Sequence, residues 1–167
     1  MIESDVSEWP VATLDGVTAV ELLARVSPGN PIVVRRVIDA PASLLWAWLA
    51  DVESSIPAFD RTVRSVTVRQ REGNRLTMAV RQWRLPPVRF VCHVGAQHIV
   101  MTGPKRLYTV AYGIRAIDQG RTLFAQFEGN PSRFGRLFAG VVARHVGHDA
   151  DAVKRLVDGL ATRRTGE

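Results

Sequence analysis

The sequence is short of several things, and each shortage excludes a class of protein. It has a single cysteine, Cys92, so no disulfide can close within the chain. No apolar run approaches the roughly 18 residues that a membrane-spanning helix needs. No glycine-rich phosphate loop precedes a helical pattern, which argues against a nucleotide fold, and no Ser or Cys sits in a nucleophile elbow. The opening stretch MIESDVSEWP begins acidic and lacks the apolar centre of a secretion signal, so a cytoplasmic location is expected. The four histidines, His93, His98, His145 and His148, have no ligand-set spacing. Only His145 and His148, three apart, can share a helical face. No metal and no cofactor are expected. Lysine is almost absent, confined to Lys105 and Lys154 among 22 basic residues.

What is present points to one soluble globular domain. The chain has 167 residues, 46% of them hydrophobic, with a mean hydropathy near zero, enough for a sizeable core. The net charge is +6 and the sequence pI about 10.6. Arginine in place of lysine, beside abundant Ala and Val, is the usage of a GC-rich bacterial genome. That cause does not explain where the arginines cluster. Arg61, Arg64, Arg69, Arg71, Arg75, Arg81, Arg84 and Arg89 fall in one stretch whose sole acid is Glu72.

The stretch from Ile32 to Phe59 organises the rest. Ile32 to Ile38 is β-branched and suits a strand. Asp39-Ala40-Pro41 stops it, and Pro41 suits the first turn of a helix. Leu44, Leu45, Trp48 and Leu49 then recur at helical spacing, Asp51 ends that run, and Pro57 limits a second short helix. Before this stretch, Asp15 is placed to cap a helix over Gly16 to Val26, and Ser27-Pro28-Gly29-Asn30-Pro31 breaks the chain. After it, strands are predicted at Val63–Gln70, Arg75–Trp83, Val88–Ala96, Gln97–Thr102, Leu107–Ile117 and Arg121–Glu128. A long helix is predicted from Ser132 to about Arg163.

The residues Ile38-Asp39-Ala40-Pro41, Leu45-Trp46 and Ala50-Asp51-Val52-Glu53 resemble the opening of the SRPBCC superfamily, also called START-like or Bet v 1-like. The order of elements extends the resemblance over about Pro31 to Thr162. It implies an α+β helix-grip fold, in which a curved antiparallel β-sheet wraps a long C-terminal α-helix, with two short helices after strand 1. The domain is expected over 31–163, preceded by an extension at 1–30 with a short helix and followed by a tail at 164–167. Family members enclose a hydrophobic cavity between sheet and helix. Thr102-Gly103-Pro104 and the strand ending Cys92-His93 are similar to polyketide aromatase/cyclases. Where those carry Trp-Pro in the short second helix, this chain has Ser55-Ile56. Where they carry a cavity Arg, it has Val94.

Three functional readings follow. The first is binding of a small hydrophobic or aromatic ligand, lipid- or polyketide-like, in the cavity. Strand alternation puts Leu76, Met78, Val80 and Gln82 on one inner row, and Phe90 and Cys92 on the next. Tyr108 and Tyr112 share a phase, and Phe134, Phe138, Val141 and His145 lie on the helix stripe. The second reading is a polyketide cyclase/dehydratase-type enzyme in the same cavity, with Tyr112 or His145 as acid–base candidates. The third is an interaction module whose Arg69, Arg71, Arg75, Arg81 and Arg89 share the outer sheet face, either as a solvated surface or as a dock for an acidic partner or anionic lipid. No nucleic-acid binding is expected, because the patch lacks interleaved aromatics. A monomer and a homodimer are both compatible with the sequence, and alternation leaves the facing of Gln126 and Glu128 undecided.

Overall fold

The structure is a computed structural model, and it describes residues 14–83, 85–106, 108–129 and 139–165. The elements run α1 (Gly16–Val26), β1 (Ile32–Ile38), α2 (Ala42–Ala50), α3 (Val52–Phe59), β2 (Val63–Glu72), β3 (Arg75–Gln82), β4 (Val88–Val94), β5 (His98–Thr102), β6 (Thr109–Ala116), β7 (Thr122–Gly129) and α4 (Ala139–Thr165). The strands form one antiparallel sheet in the order β1-β7-β6-β5-β4-β3-β2. β1 therefore pairs with the last strand, and β2 to β7 form a meander. This is the helix-grip α+β fold, with the long α4 against the concave face. No helix among the described residues is long and apolar enough to cross a membrane.

Local chemistry sets the boundaries. Asp15 caps α1: its Oδ1 accepts from Thr18 N at 3.0 Å, and its Oδ2 accepts from the Thr18 hydroxyl at 2.7 Å. Pro41 begins α2 without needing the amide hydrogen it lacks. The predicted start of the last helix, 132–138, lies outside the described residues.

The two faces of the sheet are covered differently. On the concave side α4 packs chiefly on β1 and β7, burying Val146, Ala150, Val153 and Val157 at 3/4 spacing. Leu156 and Leu160, on the same helix, are 40% and 36% exposed. Polar ties fix this seat: Arg36 Nε to Asp151 Oδ1 at 2.6 Å, and Lys154 Nζ to Asp39 Oδ2 at 2.8 Å. On the convex side α1 packs on β6, β7 and β5, placing Val17, Val20 and Ala24 over Ala111, Ala125 and Phe127.

The approach of α1 to β6 requires glycine on both sides. A Cβ on Gly113 would lie 2.0 Å from Gly16 O, and one on Gly16 would lie 1.7 Å from Gln97 O. Backbone atoms cannot give way as a side-chain tip can. Gly113→Ala is expected to lower stability by about 1–3 kcal/mol or more. The measurement is urea unfolding, beside Gly140→Ala, where a Cβ meets open space and stability should hold or rise. Equal effects would show that the α1 seat is loose.

Candidate functional site

α4 sits over the β1–β7 side, and a cavity of about 890 Å³ opens between its first turns and the β3–β4 side. The walls are largely apolar. Val80, Val88 and Phe90 come from the sheet, and Val141 and Val142 from the helix. Trp83 and Leu85 also line it, 65% and 55% exposed, where β3 ends. Arg64 lies over the Trp83 ring, 5.8 Å from its centroid. A recess of about 30 Å³ shares Val80, Gln82, Phe90 and Tyr108 with the cavity and continues to Asp60 and Tyr112.

The sequence-predicted ligand residues divide into three groups. Val80, Gln82, Phe90, Tyr108, Val141 and His145 line the cavity. Tyr112 lines the recess, where its ring meets Phe59 edge-on at 5.4 Å and stacks on Phe124 at 6.3 Å. Leu76, Met78 and Cys92 are fully buried core side chains that border neither space. They face inward as expected, but neighbours occupy the space in front of them. Burial pushes the Cys92 thiol up to about 12, so it is an unreactive apolar group. Phe134 and Phe138 lie outside the described residues.

The polar side of the cavity is richer than sequence reasoning foresaw. The Tyr108 hydroxyl donates to Glu128 Oε2 at 2.6 Å, and Gln126 Nε2 donates to Glu128 Oε1 at 3.4 Å. Register places Gln126 opposite Tyr112 and Glu128 opposite Val110, so both face inward. Burial raises Glu128 to about 7, with the Asp60 charge adding and the Tyr108 hydrogen bond opposing. Burial likewise raises Tyr108 and Tyr112 well above the ordinary tyrosine value.

A second polar group adjoins the first. His145 Nε2 lies 3.3 Å from Asp149 Oδ2 and 3.6 Å from Asp60 Oδ1. Asp149 is 1% exposed; burial first, then the charges of Asp60 and Glu128, raise it to about 8. Its Oδ2 and Gln126 Oε1 are buried and lack a hydrogen-bond partner; His145 is within reach of Oδ2 but not along a hydrogen-bonding direction. Asp149 was legible in principle, since the inward register Val146–Ala150–Val153 passes beside it. Asp60 ends α3 and had no such signal. The other helix histidine, His148, is exposed.

On the convex side, Arg75 pairs with His93, Arg81 with Ser65 and Arg89 with Ala79. These three share the half of the face that α1 leaves uncovered. Arg71 corrects the expectation: a bulge between Val68 and Gln70 shifts the alternation, so Arg71 opposes Leu76 on the concave side. Arg69 sits in the bulge itself. No ion pair joins these five arginines to an acid among the described residues.

No protein-family model and no curated protein sequence matches the chain. Solved structures do. TTHA0849 from Thermus thermophilus is 17% identical, with a TM-score of 0.61 over 78% of this chain and 99% of that one. The Zhui aromatase/cyclase from Streptomyces sp. R1128 is 18% identical, with a TM-score of 0.60 over 81% and 95%. A START superfamily protein from Mycobacterium smegmatis is 15% identical, with a TM-score of 0.56 over 79% and 99%. The fold is thus the START-like one that the opening motif resembles.

Glu128 generates a pH prediction. Its folded value of about 7 lies above the ordinary 4.5, so the folded state holds a proton that the unfolded state releases. Its contribution to stability is full below about pH 4.5 and is lost as pH rises through 7. The loss is on the order of 3 kcal/mol. Urea unfolding at pH 5 and pH 8 should show wild type losing more stability than Glu128→Gln by roughly that amount. Equal losses would mean that Glu128 is solvated.

Proposed function

We propose that the chain binds a small hydrophobic or aromatic ligand, lipid- or polyketide-like, in the cavity between the β3–β4 side of the sheet and the start of α4. The observation that carries this reading is the cavity of about 890 Å³, whose apolar wall faces a small polar group formed by Tyr108, Glu128 and His145. Apolar volume with a few convergent polar atoms is the usual form of a ligand site. An aromatic ligand also agrees with the structural likeness to the Zhui aromatase/cyclase. The wall supplies affinity by removing apolar surface from water, and Tyr108–Glu128 orients one polar end of the ligand.

Native mass spectrometry of freshly purified protein identifies a retained ligand by mass. Anilinonaphthalene sulfonate serves as a defined probe. It should bind one per chain, and Val88→Trp, which projects an indole into the void, should weaken it by about tenfold or more. Unchanged probe affinity in that variant would sink the cavity reading.

A second reading, cyclase or dehydratase chemistry in the same cavity, is favoured by one observation: Glu128, near 7, shares a 2.6 Å hydrogen bond with Tyr108. A carboxyl poised near neutrality suits proton transfer. Tyr108→Phe separates the readings. A carrier loses about one hydrogen bond of affinity, roughly 0.5–1.5 kcal/mol. An enzyme that uses the hydroxyl loses turnover by about 10² or more while affinity holds.

A separate docking role for an acidic partner is supported by Arg75, Arg81 and Arg89 on the uncovered convex half. Arg75→Glu with Arg81→Glu should abolish association with an acidic carrier protein and leave probe affinity unchanged. Association that survives both reversals and high salt removes this role.

A further inference from the structure

We infer that Asp60, His145 and Asp149 form a binding site for one divalent transition-metal ion in the wall of the cavity. The three come from separate elements. Asp60 follows the last turn of α3, and its backbone N–H donates to Ile56 O at 2.9 Å. His145 and Asp149 are one turn apart on α4. One ligand atom from each lies within 4.8 Å of the others. Zinc binds imidazole nitrogen and carboxylate oxygen at about 2.0–2.1 Å, which puts tetrahedral neighbours about 3.4 Å apart. The observed separations from His145 Nε2, 3.3 and 3.6 Å, bracket that value. The third separation, between Asp60 and Asp149, is within 4.8 Å.

A cluster of acids alone would not carry this. The second observation is Asp149 Oδ2 itself. It is buried, has no hydrogen-bond partner, and lies 3.3 Å from His145 Nε2. A buried carboxylate oxygen without a partner costs the fold free energy, and a cation between it and the imidazole removes that cost. The other orphan, Gln126 Oε1, belongs to a side chain that lies against Asp149. It offers an acceptor for a water on the ion.

The surroundings fit a metal better than a lone ion pair. Asp60, Asp149 and Glu128 all bear on one another, and the fixed positive charge among their neighbours is Arg61. A doubly charged ion offsets this crowding of acids. Asp60 is also held in place, since its Oδ1 accepts from Thr62 N at 2.8 Å and from the Thr62 hydroxyl at 2.7 Å. Outer partners of this kind orient metal ligands. Three protein donors leave a fourth position, as in catalytic rather than structural zinc sites. His145 borders the cavity, so a carbonyl or hydroxyl oxygen of a bound ligand can fill that position. One nitrogen and two oxygen donors suit Zn²⁺ and exclude the all-oxygen preference of Mg²⁺.

The test uses the full chain after dialysis against a chelator. Isothermal titration with Zn²⁺ should give one site per chain and a rise in Tm, while Mg²⁺ gives neither. Asp149→Asn removes a ligand at nearly constant side-chain size, so it should leave the metal-free Tm close to wild type yet weaken Zn²⁺ by at least about 100-fold. His145→Gln should do the same to affinity, and His148→Gln, exposed on the same helix, should not. Co²⁺ provides an independent readout: intense visible bands of a low-coordinate site in wild type, lost in Asp149→Asn. The inference is overturned if Zn²⁺ binding does not saturate at one per chain, if it survives either ligand substitution, or if Mg²⁺ binds as well. None of these outcomes bears on whether the apolar wall binds an organic probe, so this site and the proposed ligand cavity stand or fall separately.

Discussion

The structure depends on where α4 is held. Val153 and Val157 pack it over the β1–β7 side, and Arg36–Asp151 with Lys154–Asp39 tie it there. A helix seated against one side of a curved sheet leaves space at the other. The cavity bordered by Val80, Val88 and Phe90 is the consequence of that off-centre seat. It is not lined by the large inner residues near the middle of the sheet, Leu76 and Met78, because those are already packed. The first turns of α4, which carry Val141, Val142 and His145, form the facing wall.

The same seat explains the polar group. Asp149 lies in the inward register of a helix otherwise apolar on that side, next to Gln126 and Glu128 on β7. The site therefore gathers three carboxyls, a histidine, an amide and a phenol at the seam between helix and sheet. Buried polar groups are tolerated when each finds a partner. Tyr108 and Glu128 do, while Asp149 Oδ2 and Gln126 Oε1 do not. An incomplete network beside an open cavity is what separates this side from an ordinary core.

Much of the fold was legible in the residues. The α1 bounds, the Asp15 cap, the strand–Pro41–helix corner and the meander of strands all follow from local chemistry, because breakers and alternation are short-range signals. The facing of Gln126 and Glu128 was not legible, and the reason is α1. It covers Ala125 and Phe127 on the convex side while Phe124 is buried on the concave side. A strand buried on both faces shows no polar–apolar alternation. Arg71 was misplaced because a bulge resets alternation without leaving a sequence mark. The Asp60–His145–Asp149 group was not read as a group because Asp60 reaches the His145–Asp149 pair, one turn apart on α4, only through tertiary packing. Tyr108 and His145 were found because each continued an apolar phase.

The central claim is that the uncovered side of the concave face is a true cavity with one polar wall. A crystal structure of the protein soaked with 2-naphthol tests it most directly. The account predicts the ring between Phe90 and Val142, with its hydroxyl turned toward Tyr108 and Glu128. Protein side chains filling that space, or a ring bound elsewhere while the space stays closed, would contradict it.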